Sequence, residues 1–405
     1  MLRAAALAAM SGFAQFGVAA ALGDVAADYG EILPDLGLTE RPGLTGTTLG
    51  IGLAIIRLAS LGALPLGSIA DRVGRRKVIL TSVALGLALT ATAATSPTFW
   101  WFVAIFAIGR PMLSATNAVA LVIAAEETTA KDRSKAVAVI SAAYGVGAGI
   151  TALIRGFAAD PLGFRGLFAL ALIPLVLVPL VGRGLPESRR FRALGTATAE
   201  RAPVLGWIHP SLRTRLALLA VLTAALGFVS GPANSFLFFF AESIQGLAPS
   251  TLAFAVLAAG PIGLAGLIVG RAIADTHGRR LGAGAALVAV ALAGVLTYNA
   301  GRAGVIAGYL IGIFCAAAYA PAAGSLSAEL FPTSHRSTVA GWLTASAVLG
   351  AVAGIILFGA LADRFEGFGP SAALIAAPVV IVSVLYARLP ESRGLELEES
   401  APEPA

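Results

Sequence analysis

The sequence predicts an all-α membrane protein: twelve transmembrane helices in two six-helix bundles related by pseudo-symmetry. Three observations predict it. Of the 405 residues, 58% are hydrophobic and only 12% charged, about half the charge of a soluble domain, and the mean hydropathy is +0.87. The apolar residues fall into twelve long runs. The two halves of the chain match each other at a nearly fixed offset.

A bilayer core takes about 20 apolar residues per helix. Runs near that length lie at 4–24, 46–70, 78–95, 98–125, 134–155, 165–182, 214–240, 251–273, 281–299, 303–325, 337–361 and 370–388. They are continuous rather than alternating, so helices are expected and not a barrel. The organisation that follows is an N-terminal bundle at 1–182, a basic linker at 183–213, a C-terminal bundle at 214–388 and a tail at 389–405. With the N-terminus in the cytoplasm, 21 Lys and Arg lie on the cytoplasmic side. Five lie outside (Arg41, Arg155, Arg165, Arg302 and Arg364), while Arg57 and Arg110 lie inside spans. That bias puts both termini in the cytoplasm of a multi-pass inner (plasma) membrane protein. It also accounts for the net charge of +6 without a nucleic-acid partner. The apolar run after Arg3 is expected to be the first span and not a cleaved leader. The 47 glycines suit close helix–helix approach. Cys315 is single, so no intramolecular disulfide is expected, and the three histidines have no metal-ligand spacing. Without a nucleotide loop, nucleophile triad or metal cluster, no enzyme, no metal and no cofactor are expected.

The repeat can be traced residue by residue. ADRVGRR at Asp71 returns as ADTHGRR at Asp275, 204 later; Glu126 and Arg133 return as Glu329 and Arg336, 203 later. GFAAD at 156–160 returns as GALAD at 359–363, and PESR at 186 returns at 390. Six spans per half is an even number, so both halves share one topology, a parallel repeat found in transporters. A substrate site is expected near the midplane, between the halves.

The loop GSIADRVGRRK at 67–77 resembles the signature loop of the major facilitator superfamily. Gly109-Arg110 resembles its fourth-helix arginine motif, and GVGAG at 145–149 its glycine-rich fifth helix. AELFPTSHRSTVAG at 328–341 and the two PESR segments resemble the sugar and metabolite porter branch. The resemblance covers the whole chain and implies the major facilitator fold. One departure is Arg271, which stands where the second loop should begin with glycine. Gly74 and Gly278 permit the tight turns. Asp71 and Asp275 close a helix end, where a carboxylate can accept N–H bonds from a neighbouring helix start. Arginines there can pair with Glu126, Glu127 or Glu329. The resemblance implies a gating role for this set: Gly67, Asp71, Arg72, Gly74, Arg75, Arg76, Glu126, Arg133, Asp275, Gly278, Arg279, Glu329 and Arg336.

A cation at the bilayer centre costs roughly 3 kcal/mol on insertion scales, so Arg110 and Arg57 are expected to face a wet cavity or a partner. The resemblance places the arginine matching Arg110 near the cavity, where it serves substrate binding or proton coupling. No acid lies at the middle of a span; Asp24, near the end of the first, is the best proton carrier. Gln15, Asn117, Tyr144, Asn234 and Tyr319 are further polar groups within spans that could touch substrate, although such groups more often join helices. Two buried arginines and no deep acid favour an anionic or neutral polar small molecule. The expected function is secondary active transport of a small metabolite by alternating access, with proton symport; the alternative is proton-coupled efflux of drugs or metabolites. The chain is expected to act as a monomer in the lipid bilayer.

Overall fold

The computed structural model describes residues 1–30, 44–128, 132–187, 205–332 and 335–393. Its helices are α1 (Leu2–Ala20), α2 (Leu22–Tyr29), α3 (Gly46–Ala59), α4 (Ala63–Val73), α5 (Arg75–Thr92), α6 (Phe99–Glu127), α7 (Arg133–Ala169), α8 (Leu172–Gly182), α9 (Arg213–Ser235), α10 (Pro249–His277), α11 (Arg279–Asn299), α12 (Gly301–Glu329), α13 (Arg336–Arg364) and α14 (Phe368–Ser383). Among the described residues, twelve helical stretches are long and apolar enough to cross a membrane. Each overlaps one of the twelve runs read from the sequence. A short 3-10 turn at Ser60–Gly62 joins α3 to α4, and α7 is broken at Ala158 and at Gly163, whose φ is 55°. Large apolar side chains such as Val176, Ile268 and Ile381 are exposed on the helix surfaces, as expected where lipid is the solvent.

The described chain divides into two compact units. The first comprises 1–44, 55–199 and 242–256, and the second 45–54, 200–241 and 257–405. Relative to the two sequence halves, the short segments 45–54 and 242–256 change places.

In the first unit α1 crosses α7 with backbones almost touching. A Cβ at Gly12 would strike the Tyr144 carbonyl, and one at Gly147 would strike that of Ala9. Thr151 Oγ1 donates to the Phe13 carbonyl at 2.8 Å beside this crossing. Leu7, Ile79, Val83, Leu87, Leu113 and Ile140 form the buried interior. Tyr29, Phe102, Phe106, Phe164 and Phe168 cluster at one end in edge-to-face and tilted ring contacts.

In the second unit α9 crosses α13 in the same manner. Gly227 rests on Ala347, Gly350 on Ala224 and Gly354 on Phe228, each against backbone. An aromatic cluster of Phe236, Phe240, Tyr298, Phe358 and Phe368 closes one end. The start of α3 is seated here by Asp363. Its carboxylate accepts the N–H groups of Gly46 and Thr47, each at 2.7 Å, and the Thr47 hydroxyl at 2.5 Å.

Two expectations are corrected by these boundaries. Asp24 lies outside the first span: α1 ends at Ala20, Ala21 leaves helical geometry (φ −98°, ψ 9°), and Asp24 sits in the separate short helix α2. Arg155, the last residue of the run 134–155 and counted among the outer-side charges, is not at the end of its helix. It lies within the span Lys135–Ala158, and only 5% of its side chain is exposed.

Candidate functional site

The signature loops build two similar ion-pair clusters. Gly74 (φ 115°) and Gly278 (φ 102°) turn the chain into α5 and α11, a backbone that side chains with a Cβ rarely adopt. In the first unit the next residue, Arg75, is buried. Its Nη2 lies 2.8 Å from Asp71 Oδ1 and 2.9 Å from Glu126 Oε1. In the second unit Arg279 pairs with Glu329. Asp275 instead meets Arg271 at 3.6 Å on an exposed face, at the position where the second loop departs from the glycine pattern. Arg72 and Arg76 are exposed, and Gly67 has open space around its Cα. Arg336 donates Nε to the carbonyls of Ala328 at 2.9 Å and Phe331 at 3.1 Å. The Arg133 side chain lies outside the described residues.

The carboxylates that receive the helix starts come from the two PESR segments. Glu187 Oε1 accepts the N–H groups of Arg75 at 2.9 Å and Arg76 at 3.2 Å. Glu391 accepts those of Arg279 at 3.0 Å and Arg280 at 3.2 Å. The sequence reading gave this role to Asp71 and Asp275. The duplicated PESR was visible in the sequence, but its partners lie 112 residues upstream in both halves. Partial burial pushes the Glu391 carboxyl up. The N–H groups of Arg279, Arg280 and Arg393 and the Arg280 side chain outweigh that push and hold it below its ordinary value.

A second group lies within the spans of the first unit. Arg57 on α3 and Arg110 on α6 each carry a buried Nε without a hydrogen-bond partner. Tyr144 on α7 interacts electrostatically with both, and the two guanidinium groups repel one another. Asn117, two turns along α6 from Arg110, has a buried Oδ1 that also lacks a partner. Gln15 is buried on α1. Its Nε2 donates to Ser11 Oγ at 2.8 Å, and Ser11 donates to the Leu113 carbonyl at 2.8 Å. Neither arginine forms an ion pair among the described residues.

A third group joins α2, α7 and the segment after α9. Arg155 Nη2 lies 2.8 Å from Asp24 Oδ1 and 2.7 Å from Glu242 Oε2. Beside it, Arg165 pairs with Asp28 at 2.8 Å and donates to the carbonyls of Ala94 and Ser96. Arg155 was not singled out as a site residue because it ends an apolar run, where an arginine counts as an outer-side topology charge. The repeat carried the signal: 203 residues later the chain has Phe358, so a charge replaces an aromatic residue at a helix position.

The polar candidates of the second unit are more conventionally occupied. Tyr319 is buried and its hydroxyl lies 2.7 Å from that of Tyr386. Asn234 is exposed and donates to the Ser230 carbonyl one turn back at 2.8 Å, lining a small cavity with Thr297 and Tyr309.

Comparisons with known proteins accord with this architecture. The gallate transporter of Pseudomonas putida is 31% identical over 37% of this chain and 32% of its own length. The 3-(3-hydroxy-phenyl)propionate transporter of Escherichia coli (strain K12) is 32% identical over 36% of this chain and 39% of its own. The matched stretch therefore spans about a third of each of these relatives. Among solved structures, the xylose transporter XylE from E. coli superimposes with a TM-score of 0.76 at 18% identity, covering 98% of both chains. Residues 4–280 and 259–404 match the family model of the Major Facilitator Superfamily. With twelve apolar helices, two glycine-crossed units and the doubled signature loop, this chain is a multi-pass membrane protein that belongs to the Major Facilitator Superfamily.

Proposed function

We propose that this chain is a secondary active transporter of small organic anions, taken up across the inner membrane by alternating access with proton symport. Hydroxylated aromatic carboxylates are the first class to test. The observation that carries the reading is the pair Arg57 and Arg110. Each cation inside a span costs roughly 3 kcal/mol on insertion scales. Their buried Nε atoms have no hydrogen-bond partner, and neither has an ion-pair partner among the described residues. A ligand carboxylate would supply the missing acceptors in the bidentate geometry that guanidinium favours. Tyr144, Asn117 and Gln15 are polar groups of the same unit available for hydroxyl groups on a ring. The named relatives carry gallate and 3-(3-hydroxyphenyl)propionate, both carboxylates on hydroxylated rings, which supports the same choice.

The ion pairs of Arg75 with Asp71 and Glu126, and of Arg279 with Glu329, are proposed as gating contacts that form in one state of the cycle and break in the other.

The test is uptake by the purified full chain in liposomes. Labelled gallate, 3-(3-hydroxyphenyl)propionate and an organic cation of similar size are offered in turn. Saturable uptake of the carboxylates, stimulated by an inside-alkaline pH gradient, is expected. Transport of the cation with none of the carboxylates would overturn the reading.

A further inference from the structure

Arg110 begins a stripe along α6 that the rest of the first unit covers only in part. With 3.6 residues per turn, positions four and seven residues on return to nearly the same face of a helix. Ser114, Asn117 and Leu121 therefore follow Arg110 along α6, and all four are half-buried. The neighbouring faces are spoken for: Leu113 and Thr116 are buried in the unit, while Ile108 and Val122 are exposed. Arg57 is held beside the head of the stripe. The turn after α3 seats Gly62 against Pro111, whose side chain would lie 3.0 Å from a Cβ there, and the two guanidinium groups are within electrostatic reach of each other.

The two ends of the stripe differ in chemistry. Arg110 has donors alone, whereas Asn117 has an acceptor to offer. Its Oδ1 is buried and has no hydrogen-bond partner among the described residues. Polar side chains nearby are already engaged. Gln15 Nε2 donates to Ser11 Oγ, Thr116 Oγ1 donates to the Met112 carbonyl at 2.9 Å, and Tyr144 lies in the field of the two cations. A buried acceptor left without a donor is costly. A half-turn of the amide about its last bond exchanges oxygen and nitrogen, so the oxygen can be brought to a ligand hydroxyl that gives it the missing partner. Seven residues of helix set the Cα atoms of Arg110 and Asn117 about 10 Å apart. A ligand that meets both therefore carries its anionic group and its donor at opposite ends.

We propose that Asn117 is a specificity-determining residue of the anion site: its carboxamide oxygen accepts a hydrogen bond from a hydroxyl on the side of the ligand ring away from the carboxylate. The assignment rests on the anion reading of Arg57 and Arg110 above and narrows it from hydroxylated rings in general to one placement of the hydroxyl. A site that hydrogen-bonds a ligand hydroxyl rejects the analogue without one far more strongly than an apolar pocket does. Benzoate leaves Asn117 unpaired. So does 2-hydroxybenzoate, whose hydroxyl sits beside its own carboxylate and donates to it within the molecule. 3-Hydroxybenzoate and 4-hydroxybenzoate carry the donor toward the far side of the ring, where Asn117 can take it.

Calorimetric titration of the purified full chain with benzoate and its three monohydroxy derivatives tests this. In the unaltered protein the 3-hydroxy or 4-hydroxy compound should bind about tenfold or more tightly than benzoate, and 2-hydroxybenzoate should bind about as benzoate does. In Asn117→Leu, which removes the acceptor at similar volume, the ratio of hydroxylated to plain benzoate affinity should fall to about one. Asn117→Ala should give the same ratio. A change that merely loosened the packing of α6 would weaken all four ligands together and leave the ratio standing. Arg110→Ala should weaken all four alike. Equal binding of the four by the unaltered protein, lost in Arg110→Ala, upholds the anion site and overturns the role of Asn117. A preference for the 3-hydroxy or 4-hydroxy compound that survives Asn117→Leu and Asn117→Ala overturns it too. Binding of none of the four overturns both readings.

Discussion

Arg75→Ala should be among the most damaging single changes in the first unit, and the reason can be put in numbers. The Arg75 side chain is 5% exposed and that of Glu126 is 10% exposed, with Nη2 and Oε1 2.9 Å apart. Removing one partner of such a pair leaves a buried charge uncompensated, at a cost of about 3–5 kcal/mol. The Asp71 side chain, at 39% exposed, adds little, since a surface pair is worth about 0–1 kcal/mol. The cluster stands at helix ends, so the lower figure applies, about 3 kcal/mol. In a unit of roughly two hundred residues each kcal/mol moves the melting temperature by about 2–4 °C, which gives a drop of about 6–12 °C. Loss of helicity on heating the full chain in detergent reads this directly. Adding Glu126→Gln to Arg75→Ala should recover part of the loss, because it removes the charge that has lost its Arg75 partner. The neighbouring Arg76, whose side chain is exposed and donates to the Gly182 carbonyl at 3.1 Å, should tolerate alanine within about 1 kcal/mol. An Arg75→Ala protein that melts with the unaltered one, or a double variant no more stable than the single, would refute the reasoning.

Other changes probe different parts of the molecule. Arg110→Ala should abolish uptake in liposomes while the protein still folds and elutes as a single species, and full uptake by that variant would remove Arg110 from the site. Gly147→Leu should lower the melting temperature or prevent folding, because its Cβ lands on the Ala9 backbone, whereas Gly145→Leu should be tolerated, since nothing lies within 4 Å of a Cβ there; overpacking of this kind costs about 1–3 kcal/mol. Glu391→Gln should cost about 1 kcal/mol at neutral pH, the scale of a helix cap. Because the folded Glu391 carboxyl is held below its ordinary value, its contribution is present above that ordinary value and fades as pH falls through the lowered one. The melting difference between variant and unaltered protein should therefore close in acid, as pH falls from the ordinary glutamate value through the lowered one.

The twelve spans were legible because lipid imposes a simple rule. A helix that must satisfy its own backbone in hydrocarbon leaves an unbroken apolar run of predictable length. The doubled loop was legible because Gly74 and Gly278 sit in a backbone that selects glycine. The partners of those loops were not. Glu187 and Glu391 reach the starts of α5 and α11 across 112 residues, and nothing in the local pattern says which helix start a distant carboxylate will meet. Ends of spans misled for a related reason. Asp24 and Arg155 each stand at the edge of an apolar run, so hydropathy put Asp24 inside a helix it has left, and the charge count assigned Arg155 to the outer side although it stands within its span. Their pairing with each other and with Glu242 decides both placements, and that pairing is tertiary. Tyr319 was a fair candidate for a ligand contact, since a buried phenol needs a partner; the partner turned out to be the hydroxyl of Tyr386.

The repeat itself separates architecture from chemistry. What the two units share is what helix packing needs. Gly12 on Tyr144 corresponds to Gly227 on Ala347, Gly147 on Ala9 to Gly350 on Ala224, and Arg75 with Glu126 to Arg279 with Glu329. Five polar residues inside the spans of the first unit have no such counterparts. At the matching positions of the second half, Arg110 is replaced by Ile313, Asn117 by Ala320, Tyr144 by Ala347 and Arg155 by Phe358, while Arg57 aligns with Gly260-Pro261. The Tyr144 position shows why this matters. Its backbone carbonyl makes the helix crossing, and alanine serves the crossing equally well at 347, so packing does not require the phenol ring. A charged or phenolic side chain kept in lipid at a position where its duplicate does without one needs another reason to be there, because insertion alone selects against it. Binding an anion at Arg57 and Arg110 would supply that reason for the pair. That site draws on the half of the repeat that carries polar residues where the other half carries apolar ones.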